Sequence, residues 1–188
     1  MTTILAISGS LRAASLNTAL LRAAREHSPE GVEVVLYTGL ADVPHYNGDL
    51  DDDHHLPAAV ADLRARIGEA DGLLVASPEY NHSVPGVLKN AIDWASRPKG
   101  ASALQDKDIA VIGASTGNFG TARAQIALRQ VFAATHSRVL LSPEVLVFTA
   151  HQRFDGAGDL HDTTTADLLR ETLAALRDQI ADRRAPAR

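Results

Sequence analysis

The sequence contains no cysteine. This absence excludes disulfide bonds, thiolate catalysis, and zinc or iron–sulfur sites built on cysteine ligands. Any redox chemistry would therefore have to be carried by a bound cofactor. Long apolar runs are missing as well, since no stretch approaches the roughly 18 residues that a membrane-spanning helix needs. The N-terminal apolar run is too short, and lacks the charged start, for a signal peptide. We therefore expect a cytoplasmic protein with no membrane partner.

Positive charge is scarce too. Lys and Arg total 18 against 23 Asp and Glu, a net charge of −5 with His neutral. No basic patch is indicated, so nucleic acid is not an expected partner. The 188 residues, 45% hydrophobic and 22% charged, have the composition of one globular domain. We predict a single domain over residues 1–182 and a disordered Arg- and Ala-rich tail over residues 183–188.

Short apolar runs alternate with segments of helical periodicity along the chain. The predicted strands are Thr3–Ser8, Val32–Thr38, Gly72–Ser77, Asp108–Ala114 and one within Val139–Phe148, interrupted near Pro143. The predicted helices cover Asn17–Glu26, two segments that begin at Pro57 and Pro85, Ala122–Ala134, and about Thr164–Ile180. This alternation predicts an α/β three-layer sandwich that is flavodoxin-like, with a five-stranded parallel sheet of order 2-1-3-4-5. Ligands of such sheets bind beyond the carboxyl ends of the strands, so the loops after strands 1, 3 and 4 should form the site.

The loop after strand 1, Gly9–Asn17, is rich in short hydrogen-bonding side chains. Ser10 and Ser15 contribute hydroxyls, and Asn17 is a favourable N-cap for the following helix. The helix N-terminus supplies free N–H groups, and Arg12 supplies donors that suit phosphate oxygens. Neither G-x-G-x-x-G nor a Walker sequence is present, so a phosphate monoester such as that of FMN fits better than a pyrophosphate. An ordinary capped turn with a solvated arginine is the alternative.

The segment Ser77–Trp94 contains the loop after strand 3 and the helix that follows it. Two prolines and a glycine stiffen it, so its backbone can present N–H and C=O groups to the edge of a flat ring such as a flavin. Tyr80 can cover an aromatic face. An ordinary helix-entry loop is the alternative, and for Trp94 we expect packing in a core or an interface.

The loop after strand 4, Ala114–Gly120, could close the same site from a third side. Ser115 and Thr116 can donate hydrogen bonds, and two glycines, the second being Gly120, allow the backbone to approach a ligand closely. A simple turn would explain this loop alone, but three such loops at one sheet edge favour a ligand site. On the next helix, Arg123, Gln125 and Arg129 are either interface or cofactor contacts or a solvated face. The acidic and histidine tract at residues 51–55 lacks metal-ligand spacing, so we expect no metal.

Together these loops resemble the NADPH-dependent FMN reductase family, in its azo-, quinone- and chromate-reducing branch. The pattern S-P-E-Y-N-x-S-x-P-G-x-L-K-N-A-I-D-W at residues 77–94 is highly specific to that family. The loops G-S-x-R-x-x-S-x-N at residues 9–17 and S-T-G-x-x-G at residues 115–120 agree with it. The resemblance covers nearly the whole chain apart from its last few residues.

The resemblance implies FMN as cofactor, with NADPH or NADH as co-substrate. The FMN phosphate would be bound by Ser10, Arg12, Ser15, Asn17 and Thr18. The ring would be lined, largely through backbone, by Pro78, Glu79, Tyr80 and Asn81, and the predicted site also includes Ser115, Thr116 and Gly117. No catalytic side chain is assigned, because the flavin carries the chemistry.

Several functional expectations follow from the resemblance and the chain length. We expect hydride transfer from NAD(P)H through FMN to a small-molecule acceptor, namely a quinone, an azo compound or an oxyanion. One domain leaves no room for a separate NADPH domain, so nicotinamide and acceptor should use the same flavin face in turn, by a ping-pong mechanism. A homodimer or homotetramer is implied. The alternatives are an FMN-binding electron carrier and a reductase that supplies reduced FMN to a monooxygenase.

Overall fold

A parallel β-sheet runs through the middle of the protein in a computed structural model that describes residues 1–52 and 54–184. Its strands are β1 (Thr2–Ser8), β2 (Val32–Tyr37), β3 (Gly72–Ala76), β4 (Asp108–Ala114), β5 (Arg138–Val139) and β6 (Val145–Val147). The order is β2-β1-β3-β4-β5, and β6 also pairs with β4. All of these pairings are parallel. The strand order and the parallel pairing together confirm the predicted flavodoxin-like sheet.

The fifth position of the sheet is shared by two short strands. β5 pairs with the beginning of β4, with Arg138 opposite Asp108, and β6 pairs with its end, with Val145 opposite Ile112. The break between them contains Pro143, which has no N–H to donate to a ladder. The interrupted fifth strand predicted from the sequence is therefore confirmed.

Helices cover both faces of the sheet. They are α1 (Leu16–Glu26), α2 (Ala58–Glu69), α3 (Gly86–Ala95), α4 (Ala122–Ala134) and α5 (Thr163–Arg184). Side chains of a strand alternate between the faces, so Ile4 of β1 packs in the core formed with α1 and α5, whereas Leu5 packs in the core formed with α2, α3 and α4. Trp94 is fully buried in the second core, which confirms its predicted packing role.

The C-terminal helix is longer than the sequence pattern predicts. α5 begins at Thr163 and includes residues 183 and 184 of the predicted tail. Residues 185–188 of that tail lie outside the described residues, as does Asp53 of the acidic tract, so the predicted domain boundary stays a prediction. Although α5 has 22 residues, no helix in the described ranges is long and apolar enough to cross a membrane.

Candidate functional site

The loops that follow β1, β3 and β4 meet at the carboxyl edge of the sheet and line one open cavity of about 260 Å³. The predicted site residues that line it are Ser10, Arg12, Ser15, Asn17, Pro78, Glu79, Tyr80, Ser115 and Thr116. Thr18, Asn81 and Gly117, the other predicted site residues, are not in this lining. The structure thus brings together three segments that are far apart in the sequence.

Helix α1 presents its N-terminus to this cavity. Its N-cap is Ser15, whose Oγ accepts a hydrogen bond from the N–H of Thr18 at 3.2 Å. The prediction that Asn17 is the N-cap was wrong: both residue types are favoured there, and the helix begins one residue before Asn17. The N–H groups of Leu16 and Asn17 have no protein acceptor in residues 1–52 and 54–184. They remain available, at the positive end of the helix dipole, to an anion.

The side chain of Asn17 instead ties α1 to the sheet. Its Nδ2 donates to the carbonyl of Ala114 at 3.0 Å, and its Oδ1 accepts the N–H of Ala114 at 2.9 Å. Both residues are buried. This pair of bonds uses one hydrogen of the Asn17 amide and leaves the other free, so Asn17 can hold the loop in place and still contribute to the cavity.

The rest of the β1 loop is held by a chain of hydroxyl groups. The N–H of Ser10 donates to the Oγ of Ser8 at 3.3 Å. The hydroxyl of Thr18, predicted to contact a phosphate, donates to the same Ser8 Oγ at 2.8 Å. Arg12 is exposed and forms no ion pair with another described residue. Its guanidinium is therefore the free positive charge at this edge of the cavity.

The β3 loop contains a tight hairpin that sequence reasoning did not find. The N–H of Tyr80 donates to the carbonyl of Ser83 at 3.1 Å, and the reverse bond is 3.0 Å long. Asn81 and His82 between them have φ values of 50° and 64°, as a type I′ turn requires. Asn81 is therefore exposed at the tip of the hairpin, whereas Tyr80, 47% exposed, stands at its base beside the cavity.

The carboxylate of Glu79 is directed to the start of α4. Its Oε2 accepts the N–H groups of Arg123 at 2.9 Å and Ala124 at 3.2 Å, and its Oε1 accepts the Arg123 guanidinium at 2.7 Å. Burial raises the pKa of Glu79, but these hydrogen bonds outweigh burial and place the pKa below its ordinary value. Since its side chain points to α4, Glu79 can meet a ligand through its backbone, as the sequence analysis expects.

The two other polar residues considered on α4 also have protein partners. Gln125 is fully buried, and its Nε2 donates to the carbonyl of Val145 at 3.0 Å. Arg129 pairs with Glu144 at 3.1 Å. A solvated face was therefore the wrong interpretation for Gln125. These partners lie far along the chain, and no local pattern in the sequence indicates them.

The β4 loop approaches β6 closely at one glycine. Gly120 has a φ of +53°, and a Cβ on it would lie 2.7 Å from the carbonyl carbon of Leu146. Gly120 therefore permits the loop to approach β6. It is not in the cavity lining, so the approach to a ligand expected of it stays a prediction. Earlier in the loop, the N–H of Gly117 donates to the Oγ of Ser115 at 3.1 Å, and Thr116 is exposed at the cavity.

The donors around the cavity fit the phosphate of FMN. Two N–H groups and the Arg12 guanidinium, none of which has a partner among the described residues, supply hydrogen bonds and positive charge together with the serine hydroxyls in a protein of net charge −5. Among the residues described, no three His, Asp or Glu side chains lie together in a way that could bind a metal ion.

The sheet order and the cavity at the carboxyl edge define a flavodoxin-like α/β protein. The sequence model of the NADPH-dependent FMN reductase family matches residues 2–152. The chain therefore belongs to that family, as the resemblance of its loops indicated.

Characterised relatives cover nearly the whole chain. An NAD(P)H-dependent FMN reductase of Pseudomonas aeruginosa is 45% identical over 175 residues, which cover 92% of each chain. An NADPH:quinone oxidoreductase of Arabidopsis thaliana is 41% identical over 177 residues, covering 92% of this chain and 89% of the relative.

Solved structures agree with the fold. FerB of Paracoccus denitrificans, a flavoenzyme NAD(P)H:(acceptor) oxidoreductase, superimposes with a TM-score of 0.87 at 36% identity, covering 97% of this chain and 98% of FerB. An azoreductase of Bacillus anthracis, with a TM-score of 0.57 and 20% identity over 97% of this chain and 98% of its own, shares the fold.

Proposed function

We propose that this protein is an FMN-dependent NAD(P)H oxidoreductase that reduces a small-molecule acceptor such as a quinone. The observation that carries this proposal is the free N-terminus of α1, which opens beside Arg12 into a cavity bordered by the β3 and β4 loops. The names of the relatives, FMN reductases and quinone reductases with 45% and 41% identity, support the same activity.

The β1 loop would hold the FMN phosphate. The N–H groups of Leu16 and Asn17, in the first turn of α1, would donate to it, and Arg12 adds a guanidinium. The Oγ of Ser15 accepts from the N–H of Thr18, which leaves the hydroxyl proton of Ser15 free to donate to a phosphate oxygen. This arrangement binds the anion through hydrogen bonds that are already oriented before it arrives.

The β3 and β4 loops would hold the flavin ring. The backbone of residues 78–80, which borders the cavity, would supply hydrogen-bonding groups at one edge, with Asn81 next in the chain, and Tyr80 would supply an aromatic face. The Oγ of Ser115 accepts from Gly117 and keeps its own proton for donation, as does the exposed hydroxyl of Thr116. When bound, FMN accepts hydride from the nicotinamide and passes electrons to the acceptor. Hydroxyl donors near the ring carbonyl would stabilise negative charge there.

A single open cavity would serve both substrates in turn, which is the basis for a ping-pong mechanism. Two large apolar side chains are exposed on the β4 loop and on α4, since Phe119 is 62% and Ile126 is 58% exposed. We include in the proposal a homodimer or homotetramer, in which these two side chains would be covered.

The proposal is tested by adding FMN to the purified apoprotein and following the quenching of FMN fluorescence, and then measuring NADPH oxidation with a quinone. We expect saturable binding and steady turnover that needs FMN. A protein that binds FMN but oxidises neither NADPH nor NADH would be an electron carrier. Loss of FMN from the protein during turnover would identify the reductase that supplies reduced FMN, and absence of FMN binding would contradict the proposal.

A further inference from the structure

Helix α4 does not cap its own N-terminus. Its N-cap residue, Thr121, lies in the left-handed region at φ 69° and makes no side-chain capping bond. The cap comes from Glu79, whose carboxylate accepts the N–H of Arg123, a residue 44 positions later in the sequence. The N-termini of α1 and α4 therefore differ in their hydrogen bonding. On α1, two N–H groups have no acceptor among the described residues, whereas on α4 the N–H groups of Arg123 and Ala124 donate to the Glu79 carboxylate.

The carboxylate of Glu79 is held on several sides. Its side chain is only 10% exposed, and it makes two bonds to the α4 backbone and one to the Arg123 guanidinium. That guanidinium also lies over the ring of Phe119, 4.0 Å from its centroid, so it contacts both Glu79 and Phe119. Charge-assisted hydrogen bonds of this kind are shorter and stronger than neutral ones.

Glu79 and its two neighbours, Pro78 and Tyr80, all border the cavity. The carbonyl of Pro78 accepts the hydroxyl of Ser77 at 2.8 Å, and the N–H of Tyr80 belongs to the hairpin. Because the side chain of Glu79 is anchored on α4, the peptide groups between Pro78 and Tyr80 are held at a set distance from the β4 loop that precedes α4.

We propose that Glu79 is a positioning residue, which acts through its anchor on α4 to hold the backbone of residues 78–81 where the flavin ring binds. This inference rests on the proposed function. The inference divides the site into two parts that are held independently. Glu79 would position the backbone that binds the flavin ring, and the N-terminus of α1 would bind the phosphate.

The test compares FMN with riboflavin, which has the same ring and lacks the phosphate. Dissociation constants for both ligands are measured by fluorescence quenching on the full-length apoprotein, for the wild type, Glu79→Gln, Arg123→Gln and Arg129→Gln. Arg129→Gln is the matched control, since it removes an arginine from the same helix and breaks its ion pair with Glu144, outside the cavity lining.

We expect Glu79→Gln to weaken FMN and riboflavin by the same factor, about tenfold, because the lost bonds act on the ring side. Arg123→Gln should weaken both ligands less, since the backbone bonds to Glu79 remain. Arg129→Gln should bind both like the wild type. The visible spectrum of FMN bound to Glu79→Gln should also move toward that of free FMN.

Equal affinities of the wild type and Glu79→Gln for both ligands would overturn the inference, as would a loss confined to FMN. If Glu79→Gln does not fold, Arg123→Gln decides by the same comparison, because it keeps the helix cap and removes the ion pair together with the contact to Phe119. A wild-type protein that binds no FMN would instead refute the proposed function, and the inference with it.

Discussion

The side chain of Asn17 and the backbone of Ala114, 97 residues apart, form two hydrogen bonds with each other. The pair joins the start of α1 to the end of β4 and so fixes two of the three loops of the cavity relative to each other. An asparagine amide offers one donor and one acceptor in the same plane, which matches the N–H and C=O of a single peptide residue.

Replacement of Asn17 by Ala should lower the free energy of unfolding by about 2–4 kcal/mol, because the buried N–H and C=O of Ala114 would lose their partners. Urea denaturation measures this change. The matched control is Asn118→Ala, which truncates an exposed asparagine of the β4 loop and should change stability by less than about 0.5 kcal/mol. Equal stabilities of the two variants would show that the Asn17 pair contributes nothing.

Arg12→Gln should weaken FMN about tenfold and leave riboflavin affinity unchanged, because it removes a charge-assisted bond to the phosphate alone. Titration of the apoprotein with each ligand measures the effect. Arg25→Gln makes the same change of charge in the last turn of α1 and serves as control. If Arg12→Gln binds FMN as the wild type does, the phosphate is not held at this loop.

Gly120→Ala should destabilise the protein by about 2 kcal/mol or more, since alanine would be strained at φ +53° and its Cβ would overlap the backbone of Leu146. Gly117→Ala is the comparison, because the nearest atom to a Cβ there is the Ser115 Oγ at 3.6 Å. Thermal melts of the two variants should differ clearly. A Gly120→Ala protein as stable as Gly117→Ala would contradict the close approach of the β4 loop to β6.

The pH dependence of stability should depend on Glu79. Its pKa in the folded protein is lowered by its bonds to Arg123 and Ala124. Its stabilisation is therefore full above its unfolded pKa, close to the ordinary 4.5, and is lost as the pH falls through the lower folded pKa. The stability difference between wild type and Glu79→Gln, measured by urea denaturation, should be about 2 kcal/mol at pH 7. It should shrink below the unfolded pKa, and a difference that did not depend on pH would rule out the ionised pair.

The strand and helix pattern could be predicted because it depends on local periodicity. Each of the first four strands contains a run of apolar residues, and Pro143 marks the break between β5 and β6 in the sequence itself. The choice between Ser15 and Asn17 as N-cap could not be made, since both residues favour that position and the helix start is settled by packing.

The long-range contacts of the site could not be predicted from one sequence. Glu79 and Arg123 are 44 residues apart, and neither residue has a local feature that indicates the other. The loops were nevertheless identified correctly as neighbours, because parallel strands with helical crossovers bring their carboxyl ends to the same edge. Topology thus gives the location of the cavity, whereas the partner of each side chain requires the three-dimensional structure.

The most direct test of the proposed function is the reductive half-reaction. The FMN-loaded protein is mixed with NADPH under anaerobic conditions and without acceptor, and its visible absorbance is followed. We predict that the flavin absorbance is lost, that NADP⁺ leaves before any acceptor is added, and that a quinone then restores the absorbance. Flavin that stays oxidised in the presence of NADPH until a second protein is supplied would contradict the proposed activity.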